Sequence, residues 1–259
     1  MKAIEQQKAI EQKWYSVLTD MPTQENVQQA YEELHSFYLS SSGYLYSPFL
    51  SMAQKVILRV AACGKVVLEL GFGGGVLACA LAKQGNEVVA LDISPKAVDA
   101  GLKKAAEWGI AGHVTFRQGD AVNTRLDGDC FDLVVSNNVI EHIHPSKVEA
   151  HLNEVRRVLK ANGSYLLFTP NKYDGPSSLG MHLKEWGFTE MRRFLEKHGF
   201  TCYWLDTRIA RLGKTVLGPP YTLWLPDFME RTYVRFGCKR YLRPIMRPNP
   251  FFYARKLSA

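Results

Sequence analysis

Two groups of residues have the types and spacing to do chemistry. The first is the run Glu69-Leu-Gly71-Phe-Gly73-Gly-Gly75, followed 21 residues after Gly71 by Asp92 in "VVALDIS". Closely spaced glycines let the chain turn sharply and let a ligand approach the backbone. A helix that begins directly after such a turn favours an anionic group. A carboxylate closing the next strand can accept hydrogen bonds from both hydroxyls of a ribose. The second group is Glu141-His142, with His182 and Glu185 further along, residue types that move protons near neutral pH.

These residues need elements to hold them, and the pattern of apolar positions supplies a regular alternation. Strand-like runs occupy Val66–Leu70, Glu87–Leu91, Val114–Gln118, Phe131–Ser136 and Ser164–Thr169. Helical patterns lie between them at Val76–Gln84, Pro95–Trp108 and Pro145–Leu159, with Gly85, Gly109 and Gly163 placed as helix stops. A further helix in "FTEMRRFLEKHGF" has Thr189 as its N-cap candidate and Gly199 beyond its end. A strand at Thr201–Thr207 follows, and "NPFFYARKL" reads as a last strand. Such alternation predicts a mostly parallel sheet covered on both faces. Upstream, residues 24–62 read as amphipathic helix broken by a Ser/Gly/Tyr stretch at 40–46.

Composition narrows the classes. No apolar stretch reaches the ~18 residues of a membrane span, and the N-terminus lacks a signal-like apolar core, so a cytoplasmic location is expected. The cysteines Cys63, Cys79, Cys130, Cys202 and Cys238 are scattered without a CxxC pair, so neither a disulfide framework nor a Cys-type zinc site is suggested. The net charge of +7 is local. Residues 1–210 hold 22 basic and 23 acidic side chains, and residues 211–259 hold 10 and 2. The excess therefore belongs to the tail.

The glycine run alone leaves two nucleotides open, because Gly73-Gly75-Ala78 satisfies the weaker GxGxxA form of a dinucleotide fingerprint. The wider pattern decides. Glu69-x-Gly71-x-Gly73-x-Gly75 resembles motif I of the class I S-adenosylmethionine-dependent methyltransferases. Asp92 in "VVALDIS", Gly119-Asp120-Ala121, "FDLVVSNNVIEHI" and "VLKANGSYLLFTPN" resemble that family's later blocks, in order, over about Lys65 to Phe200. The resemblance implies a Rossmann-like α/β fold with a seven-stranded, mostly parallel sheet, helices on both faces and a helical N-terminal cap. It implies S-adenosylmethionine as co-substrate. Gly71, Gly73 and Gly75 would line its methionine portion, with Glu69 near the amino group. Asp92 would take the ribose hydroxyls, Ile93 would pack on the adenine, and Asp120 beside Ala121 would meet the adenine amine. Asn137 would sit by the methionine moiety or the sulfonium. Phe72 stands where many relatives carry a small residue or cysteine.

Methyl transfer from a sulfonium is an in-line displacement, so alignment in a dry site does much of the work. A base is needed where the acceptor keeps its proton until attack. His182 is the first candidate, with Tyr173 behind it, against a reading of both as loop residues. Glu141-His142 resembles the "EH" of ubiquinone-pathway O-methyltransferases and of small-RNA-end methyltransferases. In the latter a Glu three residues earlier joins a metal site; here that position is Asn138, and no metal is expected. His142 also reads as a structural histidine. Tyr38, Tyr44 and Tyr46 could line an acceptor pocket or pack the cap onto the core.

The organisation expected is a helical cap over residues 1–62, a core over 63–210, a basic aromatic insertion over 211–250 and the last strand over 251–259. In the insertion Arg231, Arg235, Lys239 and Arg243 recur every four residues beside Met229, Tyr233 and Phe236. That stripe reads as a solvated helix face, as a lid or subunit contact, or as peripheral docking on an anionic membrane. No nucleic-acid module is recognisable. The function implied is methyl transfer to a small-molecule acceptor, anionic or hydrophobic, with oxygen favoured over nitrogen or carbon. A non-catalytic cofactor-binding module and an NAD-dependent oxidoreductase are the alternatives.

Overall fold

A computed structural model of the protein describes residues 2–41, 51–172, 181–205, 217–218 and 251–257. Its helices are α1 (Lys2–Asp20), α2 (Gln24–Ser41), α3 (Met52–Val60), α4 (Val76–Lys83), α5 (Pro95–Glu107), α6 (Val148–Val158) and α7 (Phe188–Lys197). The strands are β1 (Val66–Leu70), β2 (Glu87–Asp92), β3 (Val114–Gln118), β4 (Phe131–Asn137), β5 (Leu159–Phe168), β6 (Phe200–Leu205), β7 (Leu217–Gly218) and β8 (Phe251–Lys256). Strand order is β3-β2-β1-β4-β5-β8-β6-β7. The first five run parallel, and β8 is antiparallel to both β5 and β6. This is the expected seven-stranded arrangement, extended by the two-residue β7 beside β6.

The sheet is apolar on both faces, as its continuous hydrophobic strands require. Along β1, Val67 faces a cluster built with α3, α4 and α5, including Ile57, Leu77, Leu81 and Ala97. Leu68 and Leu70 face the opposite cluster, with Leu152 and Val155 of α6 and Leu195 of α7. Each such fully buried leucine contributes roughly 1.5–3 kcal/mol. Helix α3 is thus a layer of the sheet's packing. Helices α1 and α2 form a third cluster, with Trp14, Leu18, Leu34 and Phe37 packed around Met181. This cap leans on α5, where Lys96 donates to Ser36 Oγ, and Lys147 donates to the Pro22 carbonyl at the α1–α2 turn.

Two local expectations are corrected. Helix α7 starts at Phe188 after Gly187, not at Thr189. The Phe188 ring is fully buried and lies 4.8 Å from that of Phe252, so core packing draws the helix start forward. Gly163 is not a helix stop, since α6 ends at Val158 and Gly163 lies within β5. Leu159 pairs with Phe131 and Ser164 with Leu133, so the intervening residues bulge outward. A Cβ on Gly163 would lie 2.9 Å from the Lys160 carbonyl oxygen, which is what demands glycine there. Tyr44, Tyr46, Tyr173 and the basic stripe of 211–250 lie outside the described residues.

Candidate functional site

In an open parallel sheet, ligands bind at the carboxyl ends of strands where the strand order reverses. Here the reversal falls between β1 and β4, and most of the residues singled out by sequence gather there. After β1 the chain passes through three left-handed glycines, Gly71 (φ +67°), Gly73 (+55°) and Gly75 (+74°), a region costly for other residues. A Cβ on Gly71 would lie 2.6 Å from Val139 Cγ2, and one on Gly75 would lie 2.9 Å from Gly101 Cα. Gly75 caps α4 with no side chain of its own. Phe72 is buried in the core cluster, its ring 4.9 Å from that of Phe116.

Asp92 ends β2 and is buried. Its Oδ2 accepts from the Gly73 amide and its Oδ1 from the Ser94 amide, both at 3.0 Å. It therefore holds the glycine turn in shape and keeps lone pairs for a further donor. Ile93, partly exposed, follows it. After β3, Asp120 closes its own turn by accepting from the Val122 amide at 2.9 Å. The neighbouring Ala121 carbonyl is held from beneath by His151 Nδ1 at 2.8 Å. His151 Nε2 meets the Tyr165 hydroxyl at 3.1 Å, and that hydroxyl meets Ser136 Oγ of β4 at 2.6 Å. Burial holds His151 below the usual histidine range, so it is neutral, donating to Ala121 and accepting from Tyr165. Glu154 of α6 secures Thr124 further along the same loop.

Polar groups at the carboxyl ends of β1 and β4 are less well satisfied. Glu69 is buried, and its Oε2 has no partner. Burial and the nearby Asp92 push its carboxyl well above the usual range, opposed by the Ala78 amide of α4. Asn137 Oδ1 and Asn138 Oδ1 are also buried without partners. Asn138 adopts φ +58°, a conformation asparagine tolerates better than most residues.

A short 3-10 turn, Ile140–His142, follows β4 and carries the second group. Glu141 is fully buried, with Oε2 accepting from Thr169 Oγ1 at 3.0 Å and Oε1 unpartnered. Burial pushes its carboxyl up to about 8, partly offset by its own backbone amide and Thr169. Its backbone carbonyl accepts from the Leu183 and Lys184 amides, which brings His182 alongside. The His142 and His182 rings lie 4.9 Å apart, edge to face. His142 Nδ1 donates to the Met181 carbonyl at 3.1 Å, and His182 Nδ1 meets Glu185 Oε1 at 3.0 Å. Burial, then the neighbouring His182, holds His142 down to about 3, so its Nε2 carries a free lone pair at neutral pH. Ligand atoms of Glu141, His142 and His182 all lie within 4.8 Å of one another. Imidazoles fixed through Nδ1 by a carbonyl or carboxylate are the usual outer support of a metal site. The cluster therefore suits a divalent cation despite the Asn138 position.

Sequence reasoning passed over one residue. Tyr31 of α2 places its ring edge to face with His142 at 6.0 Å, and its buried hydroxyl has no partner. Burial, then Glu141 and Asp92, raises this phenol well above its usual value, so it stays protonated. Its i, i+4 spacing to His35 was the available signal, but nothing in "QENVQQAYEELHSFYL" tells which helix face meets the sheet edge.

The left-handed cradle and the orphaned buried oxygens fit a nucleoside with a charged amino-acid arm, the shape of S-adenosylmethionine. The methyltransferase-domain family model matches residues 67–163. The ubiquinone biosynthesis O-methyltransferase of Cereibacter sphaeroides (strain KD131 / KCTC 12085) is 30% identical over 125 residues, 48% of this chain and 48% of that protein. The mitochondrial enzyme of the same description from Schizosaccharomyces pombe is 31% identical over 107 residues, 41% of this chain and 38% of that one. The chain thus spans about half the length or less of these curated relatives. Among solved structures, the YcgJ protein of Bacillus subtilis superposes with a TM-score of 0.54 at 20% identity, covering 80% of this chain and 99% of that one. The [4+2]-cyclase SpnF superposes at 0.55 with 18% identity, covering 80% of each chain. At such identities the likeness establishes the fold alone, and SpnF illustrates that one fold carries more than one reaction.

Proposed function

We propose that the chain, whose residues 67–163 match the methyltransferase-domain family model, is an S-adenosylmethionine-dependent methyltransferase of class I that transfers a methyl group to an oxygen of a small molecule. The observation that carries this reading is the gathering of unpartnered buried oxygens, on Glu69, Asn137, Asn138 and Glu141, around the β1–β4 reversal. A buried polar atom without a partner costs about 1–3 kcal/mol, a cost that a bound ligand removes. The preference for oxygen rests on the partial likeness to the ubiquinone O-methyltransferases.

S-adenosylmethionine, when bound, supplies an electrophilic methyl on a sulfonium. The chain's part is to bind, orient and keep water out. Asp92 takes the ribose hydroxyls while holding the Gly73 amide, so nucleoside binding and the shape of the turn are linked. Asp120 and Ala121 receive the adenine, with Ile93 against its face. Glu69 and Asn137 face the amino-acid arm. His182, braced by Glu185, accepts the acceptor's proton through Nε2.

The Glu141–His142–His182 cluster favours a second reading in place of the histidine base: a divalent cation held by Glu141 Oε1 and the two histidine Nε2 atoms, which leaves His182 no lone pair to take a proton. Such an ion would supply Lewis-acid charge at the acceptor oxygen. The oxygen and nitrogen donors suit zinc and related first-row ions.

Calorimetric titration with S-adenosylmethionine, S-adenosylhomocysteine and NAD tests the central claim. Binding of the first two alone supports it, followed by an acceptor screen with labelled methyl donor. Binding of NAD alone returns Gly73-Gly75-Ala78 to a dinucleotide. Selective binding of the first two without turnover on any extract favours the non-catalytic module. For the cation, chelator-treated protein titrated with zinc should show one site that His182→Ala weakens by at least ~tenfold. Absence of zinc binding in the parent protein removes that reading.

A further inference from the structure

We propose that Tyr31 of the N-terminal cap is a cofactor-binding residue, its hydroxyl hydrogen-bonding the methyl donor from the side opposite the sheet. The proposal rests on the reading of the β1–β4 crevice as an S-adenosylmethionine pocket. Asp92 closes β2 and Glu141 follows β4, and the Tyr31 phenol has both carboxyl groups, Glu141 the stronger, as electrostatic neighbours. A donor laid from the end of β2 across the glycine turn to the end of β4 therefore passes beneath this ring. Its ribose would lie at Asp92, and its sulfonium and amino-acid arm would extend toward Glu141.

The hydroxyl itself supplies the second argument. Tyr38 lies two turns along α2 on the same face, and its hydroxyl is satisfied inside the cap by Gln7 Nε2 at 2.9 Å. The Tyr31 hydroxyl is buried with no partner. Its ring is nonetheless firmly placed, edge to face with His142 at 6.0 Å and with His35 at 6.3 Å. Phenylalanine would keep those ring contacts and spare the protein a buried, unsatisfied hydroxyl. A buried hydroxyl that costs the fold stability and lies on a ring placed against His142 is suited to a ligand that arrives there. The other orphaned oxygens belong to the sheet edge, so Tyr31 provides the contact from above and links the cap to an occupied site.

The test compares Tyr31→Phe with the parent protein and with Tyr38→Phe, using S-adenosylmethionine and S-adenosylhomocysteine in calorimetry and ligand-free melting. Tyr31→Phe should weaken both ligands by about five- to twentyfold, while the ligand-free Tm stays level or rises. Tyr38→Phe should do the reverse, lowering Tm by breaking the Gln7 bond and leaving affinity within ~twofold. Unchanged affinity in Tyr31→Phe overturns the proposal. So does a lowered affinity accompanied by a lowered Tm, which would mark the hydroxyl as a support of cap packing. If the parent protein binds neither ligand, the reading of the crevice itself fails, an outcome visible before any variant is made.

Discussion

The carboxylates of the crevice fall into two environments. Asp92 and Asp120, at the ends of β2 and β3, are tied to backbone amides within two to nineteen residues along the chain. Glu69 and Glu141, at the ends of β1 and β4, are buried with one oxygen each unpartnered and carboxyl groups pushed upward. The first pair completes its own loops and offers what remains to a ligand. The second pair is paid for by the rest of the fold and left incomplete. Shape comes from the satisfied side and unspent hydrogen-bonding capacity from the other, so the two sides should respond oppositely to substitution.

The largest effect is expected at Asp92. Asp92→Ala strands the buried Gly73 and Ser94 amides and removes the ribose acceptor. Stability should fall by about 2–4 kcal/mol and S-adenosylmethionine affinity by at least ~tenfold, read by denaturant melts and calorimetry. On the unsatisfied side, Glu141→Gln keeps the Thr169 contact and removes an ionisable group, so ligand-free stability near pH 8 should hold or rise. Zinc affinity should nevertheless drop. A large stability loss in Glu141→Gln would break the contrast.

A smaller effect sharpens it. Tyr165→Phe leaves His151 Nε2 and Ser136 Oγ without partners and should cost about 1–3 kcal/mol. Because His151 still holds Ala121, the loss in cofactor affinity should be slight. The smallest effect concerns Glu154, whose carboxyl is held down to about 2, first by Arg157 and then by Thr124. Its folded value lies below its unfolded one, so its contribution is present above pH ~4.5 and lost as pH falls toward 2. Glu154→Gln should flatten that limb of the stability–pH curve, and an unaltered limb would show that other carboxylates control it.

Much of the core was legible in the sequence for local reasons. Strands β1 and β3 stand where apolar patterning placed them, residue for residue, and β2 and β4 extend one residue further. The glycine turn was readable because left-handed backbone is nearly a glycine property. Helix α1 lies within the helical cap expected over residues 1–62, but its bounds were not placed. Its apolar residues Ile10, Trp14 and Leu18 follow a four-residue spacing, but their partners lie in α2 and at Met181, far along the chain. Thr189 as a cap and Gly163 as a stop obeyed local rules that long-range packing overruled.

Sequence alone determined most of the elements and named the glycine turn and the two aspartates of the satisfied side, since left-handed glycines and strand-closing acids are read from local pattern. It also named Glu141, His142 and His182 as separate candidates. Only the tertiary structure decided that these three form one cluster, because the Leu183 and Lys184 amides return to the Glu141 carbonyl across some forty residues of chain. It alone brought Tyr31 over that cluster. Side chains from α2, the turn after β4 and the segment before α7 meet through tertiary packing, and local spacing marks an apolar face without saying which distant element covers it.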